Sequence, residues 1–157
     1  MGRTYADAVD EPMLFALDLT VIIAAPFAGL FAGFITFATA LGANIEADGN
    51  PNASATDLFW TMATVATLYL LPAIAVVVVA RVRRLTFASN AFAACTATVM
   101  LGLTQLYGIA TATCAAAVVA LVASLRAGRP KLPPPDLTAL LAVYLATALW
   151  CVLEAAR

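Results

Sequence analysis

LTFASNAFAACTATVMLGLTQLYGIATATCAAAVVALVASL, residues 85–125, is a run of 41 residues without a charged side chain. As one helix it would be about 60 Å long at 1.5 Å per residue, roughly twice the hydrocarbon thickness of a bilayer. A run of this length predicts two membrane-crossing helices joined by a turn. The turn is placed at Tyr107-Gly108, where glycine accepts positive φ and where Gln105 and Tyr107 can sit among lipid headgroups.

Outward from this run, the other charge-free stretches are 19–45, 58–80 and 137–153, of 27, 23 and 17 residues. A single crossing needs about 17–25 predominantly apolar residues, so each of these predicts one helix. The expected fold is all-α, a single integral membrane domain over 1–157 with five transmembrane helices at about 12–43, 58–80, 85–107, 109–125 and 136–153. Composition agrees. With 64% hydrophobic and 11% charged residues, the chain has too few charges to clothe a water-soluble domain, and the lipid bilayer must cover it instead.

Five spans place Arg3, Arg81, Arg83, Arg84, Arg126, Arg129 and Lys131 on one side and leave only Arg157 on the other. Membrane-proximal Lys and Arg mark the cytoplasmic face, so the N-terminus is expected inside and the C-terminus outside. Crossing once through 85–125 would put the two basic loops on opposite faces and erase that asymmetry. Phe59, Trp60, Tyr107 and Trp150 fall near the predicted outer boundary, where amphipathic rings favour the headgroup region. Asp7, Asp10 and Glu11, rather than a basic stretch, precede the first apolar run, which therefore reads as a retained helix and not a signal peptide. Abundant alanine and seven arginines to one lysine suit a GC-rich bacterial genome, so the expected location is the bacterial cytoplasmic (inner) membrane, multi-pass.

The net charge of −1 and the lack of a dense basic patch exclude nucleic acid as a partner. Cys95, Cys114 and Cys151 stand singly in apolar runs and the chain has no histidine, which points to no metal site, no haem and no other cofactor. No nucleophile elbow, phosphate-binding loop, zinc helix motif or pair of carboxylates within the spans is present, so no catalytic residue is assigned and the chain is not expected to be an enzyme.

Several residues nonetheless invite a role. Asp18, in MLFALDLT, is the one acidic residue well inside an apolar pattern, and intramembrane carboxylates are costly and usually functional. It reads either as an ion or partner contact or as an interfacial carboxylate about 9 Å beyond the expected helix start at Pro12. Ala25, Gly29, Gly33, Thr36 and Ala40 form a small-residue face for helix packing, opposite Phe27, Phe31 and Phe34. Pro72 is expected to kink the second helix. Arg81, Arg83 and Arg84 close that helix with charge that suits its C-terminal pole; they read as a topology anchor or as a lipid-headgroup contact. Residues 44–57, with Glu46, Asp48 and Asp57, predict a polar outer loop. The proline-rich 126–136 predicts a stiff inner spacer that ends with Asp136 as N-cap of the last helix. Thr61, Thr64, Thr96, Thr104, Gln105, Thr111 and Thr113 offer hydrogen bonds between helices.

A small, alanine-rich helical chain of this kind looks like a non-catalytic accessory or assembly subunit of a larger bacterial membrane complex, such as a lipid-transport permease or respiratory assembly. Its partners would then be larger membrane-protein subunits. The alternative is a small ion- or proton-coupled transporter or channel acting as a homo-oligomer, with Asp18 on its route.

Overall fold

The computed structural model describes residues 5–50, 52–107 and 134–157, with side chains over 12–50, 52–102 and 134–157. These residues are helical throughout apart from short connections. Helix α1 covers Tyr5–Gly49, α2 Ala55–Val82, α3 Thr86–Tyr107 and α4 Pro135–Ala155. Segments Pro12–Gly49, Ala55–Val82 and Pro135–Ala155 are long and apolar enough to cross a membrane. The fourth expected span at 109–125, with Thr111, Thr113 and Cys114, lies outside the described residues, as do Arg3, Arg126, Arg129 and Lys131.

Several helix boundaries differ from those expected. Helix α1 runs past both ends of 12–43, because the apolar ruler measures the span and not the helix. Glu46, Ala47 and Asp48 continue the spiral to Gly49 and α2 starts at Ala55, so the connection expected over 44–57 is shorter. Helix α2 begins three residues early because Ser54 is its N-cap. The Ser54 hydroxyl accepts from the Asp57 amide at 3.2 Å and donates to the Asp57 carboxylate at 2.7 Å, satisfying one of the orphan donors of the first turn. Asp136 is not the N-cap of α4. That position belongs to Pro134, with Pro135 in the first turn, where a missing amide hydrogen costs nothing. Asp136 is thereby carried two positions past the cap, into the first turn, and is buried.

Helix α1 is the central element and touches the other three, most extensively α3. Its start and that of α3 and α4 lie at one end of the bundle, with the close of α2. Opposite, Gly42 of α1 meets the Met62 sulfur of α2 and Asn44 reaches Glu154 of α4. Thus α1, α3 and α4 run one way and α2 the other. The core between them is rich in alanine: Ala25, Ala32, Ala66, Ala73, Ala88, Ala93, Ala139 and Ala146 are buried around Leu70, Phe92, Met100 and Val143. A second cluster of Ala43, Leu58, Met62 and Cys151 fills the opposite end. Small side chains let backbones approach, which maximises dispersion contact where lipid removes the hydrophobic drive between helices.

Only 33%, 33% and 39% of the apolar stretches of these three helices, α1, α2 and α4, are buried within the protein. Most of their apolar surface therefore faces outward. Phe27, Phe34, Leu68, Leu71, Val78, Leu141 and Leu145 are all exposed. Helices apolar on nearly every side require an apolar surrounding, which a bilayer supplies. Threonine hydroxyls on this outer surface, those of Thr20, Thr61, Thr64 and Thr98, bond the carbonyl four residues before them and need no water. The α2 helix remains one element across Pro72, and α1 across Pro26.

Candidate functional site

The four described helices converge where α2 ends, at Arg81-Val-Arg-Arg84. Arg83 closes the helix with φ −84° and ψ −3°, and Arg84 follows with φ 57°. The Leu85 amide donates to the Ala80 carbonyl at 2.7 Å, and the Arg84 amide to Arg81 at 3.0 Å. Together these form a Schellman motif, which satisfies carbonyls that a helix end leaves open. Its left-handed position usually holds glycine; an arginine there is disfavoured by about 1 kcal/mol through contact of Cβ with the backbone.

Arg81 and Arg83 stand two residues apart, hence about 200° around the helix axis, and reach opposite neighbours. Arg81 forks onto Asp136 of α4: Nε donates to Oδ2 at 3.0 Å and Nη2 to Oδ1. Asp136 also accepts from the Ser89 hydroxyl of α3 at 3.0 Å and from the Leu137 amide at 2.9 Å. Its side chain is fully buried, whereas that of Arg81 is 37% exposed. Four donors on one carboxylate meet the condition for burying a charge without water. Arg83 forks the other way onto Asp18 of α1, Nε to Oδ1 at 2.8 Å and Nη2 to Oδ2 at 3.0 Å. Hydrogen bonding to that carboxylate raises the Arg83 pKa above its ordinary value. Arg84 makes no ion pair among the described residues.

Asp18 therefore lies level with the end of α2, beside the chain's densest basic cluster, and both of its oxygens are engaged within the same chain. A proton or cation would have to displace a guanidinium to bind there. Of the three arginines read as a headgroup contact, two are turned onto carboxylates. A signal for this pairing existed in the sequence: the five-span arrangement sets Asp18, Asp136 and the arginine turn on one side, two acids beside three bases. What spacing could not supply was which acid meets which base.

The small-residue face of α1 is covered by α3. A Cβ on Gly29 would come within 3.0 Å of the Phe92 Cα, and one on Gly33 within 2.6 Å of the Val99 Cβ. Thr96 Oγ1 lies 3.0 Å from the Gly29 carbonyl and 3.0 Å from that of Phe92, linking the two helices at the same crossing. Ala25 is buried, Thr36 and Ala40 are partly buried, and Phe27, Phe31 and Phe34 point outward. The buried Thr36 hydroxyl has no hydrogen-bond partner among the described residues. Thr61 and Thr64 bond only their own helix in the described structure, whereas Thr104 and Gln105 carry side chains outside the description.

Other interhelical polar contacts carry no sequence signature. Thr39 of α1 and Thr147 of α4 share a buried hydrogen bond of 3.0 Å, and Thr67 of α2 meets the Tyr144 hydroxyl of α4 at 2.7 Å. At the far end, Asn44 donates to the buried Glu154 at 3.3 Å, and Arg157 lies 3.1 Å from the same carboxylate. Cys95 and Cys151 are free thiols, partly and fully buried respectively. No protein-family model, curated protein or solved structure matches the chain.

Proposed function

We propose that this chain is a five-span protein of the bacterial inner membrane, with its N-terminus inside and C-terminus outside. In this reading it is a non-catalytic accessory or assembly subunit of a larger complex, such as a lipid-transport permease or respiratory assembly. The observation that carries the reading is the internal use of its polar groups. Asp18, Asp136, Glu154, Thr39, Thr96 and Thr147 are each committed to another helix or terminus of the same chain. Such an arrangement braces a bundle and leaves no poised acid, base or nucleophile among them.

The five-span topology draws support from helix direction. Ser89 at the start of α3 and Asp136 at the start of α4 are hydrogen-bonded, so the two helices start at the same end. The apolar 109–125, which lies between α3 and α4 in the sequence, has the length of one crossing and would bring the chain back to that end. The alternative, a coupled transporter, depends on Asp18 as an ion site, and the engagement of both Asp18 oxygens by Arg83 weighs against it.

Purification of a tagged full-length chain in mild detergent is expected to bring down larger membrane subunits in fixed stoichiometry. Recovery only as a free monomer or homodimer overturns the subunit reading. Flux of protons or solute into vesicles holding this chain alone would favour the transporter.

A further inference from the structure

We propose that a cavity beside the arginine turn binds a phosphate group, held by Arg84 and the first turn of α3. The cavity has a volume of about 330 Å³ and is lined by Arg81, Arg84, Thr86, Ser89, Asn90 and the helix start at Asp136. That volume is at the lower end of small-ligand pockets.

Charge decides which ligand suits it. Arg81 is neutralised by Asp136, which accepts from four donors and has no exposed side-chain surface. Arg83 is neutralised by Asp18 on the other side of the helix. Arg84 is left without a carboxylate among the described residues, so the lining carries one net positive charge. Its guanidinium offers the planar fork that matches two phosphate oxygens. Thr86 and Asn90 are exposed residues on the same wall whose side chains carry neutral donors. Leu85, the residue before α3, has no side-chain oxygen to cap the first amides; the Thr86 amide donates to the Arg84 carbonyl at 3.0 Å, and the positive pole of the helix lies beside the cavity.

The backbone makes the same residue informative. Arg84 occupies the left-handed position of the Schellman motif, where glycine would fit with less strain. From that position Arg84 lines the cavity. The site lies at the bundle end that gathers Arg81, Arg83 and Arg84, level with the close of α2, where headgroup phosphates would be met. It does not depend on which larger subunits, if any, the chain joins.

The test uses the purified full-length chain in a neutral detergent, with phosphatidylglycerol, diacylglycerol and inorganic phosphate as separate probes, read by native mass spectrometry. Wild type is expected to retain phosphatidylglycerol and not diacylglycerol. Arg84→Gly is expected to lower that retention about tenfold while its melting temperature stays equal or rises, since glycine relieves the left-handed strain. If Arg84→Gly fails to fold, Arg84→Asn, which also tolerates this conformation, gives the same comparison. Displacement of the lipid by millimolar inorganic phosphate identifies free phosphate as the ligand, and resistance to it identifies the headgroup. Retention unchanged in the glycine or asparagine variant, or no binding of either phosphate probe by wild type, overturns the proposal.

Discussion

At the scale of single residues, burial separates two ion pairs that look alike in geometry. Asp136 is wholly enclosed, and removing its partner leaves a carboxylate with only the Ser89 hydroxyl and the Leu137 amide for compensation. Breaking a fully buried pair costs several kcal/mol; with Arg81 about a third exposed, Arg81→Ala is expected to lower unfolding stability by about 2 kcal/mol. Arg81→Lys should recover only part of this, because an ammonium cannot address both oxygens in a fork. Asp18 and Arg83 both keep part of their side chains exposed, so Arg83→Ala should cost less. Thermal unfolding of the three variants in detergent checks the order, and equal losses for Arg81→Ala and Arg83→Ala would contradict it.

Between elements, the Gly29 and Gly33 spacing marked α1 as a packing helix but left its neighbour open. Consecutive helices are the usual contacts, yet among the described helices the most extensive contact is between α1 and α3, which run parallel and are separated in sequence by all of α2. Gly29→Ala drives a methyl into the Phe92 backbone, and Gly33→Ala meets the Val99 side chain and the Thr96 carbonyl. Neither neighbour can swing away freely. The expected losses are about 1–3 kcal/mol, larger for Gly29. Gly42→Ala meets only the flexible Met62 thioether and gains helix propensity, so it should be neutral or stabilising by up to about 1 kcal/mol. Reversible unfolding of the alanine variants distinguishes the sites; a loss at Gly42 as large as at Gly29 would contradict the crossing geometry.

For the molecule as a whole, the proposed N-inside orientation can be measured at the two ends of the bundle. With the native cysteines replaced by alanine, Asn50→Cys should react with a membrane-impermeant maleimide in intact cells. Val82→Cys, exposed at the opposite end, should react only after permeabilisation. The reverse pattern, or equal labelling of both, would refute the N-inside arrangement. Polar contacts tie the helices together at both ends, Arg81-Asp136-Ser89 and Arg83-Asp18 at one and Asn44-Glu154-Arg157 at the other.

The helical class and the membrane setting were legible from local sequence, because lipid forces each crossing segment to satisfy its own backbone and the bilayer sets its apolar length. That ruler located α2, α3 and α4 to within three residues at each described boundary, and missed the ends of α1 because a helix can continue beyond its apolar stretch. The partners of Asp18, Asp136, Gly29 and Thr39 were decided only by tertiary structure. Each depends on the rotation and depth at which one helix meets another, and those follow from packing many side chains together rather than from any spacing along the chain.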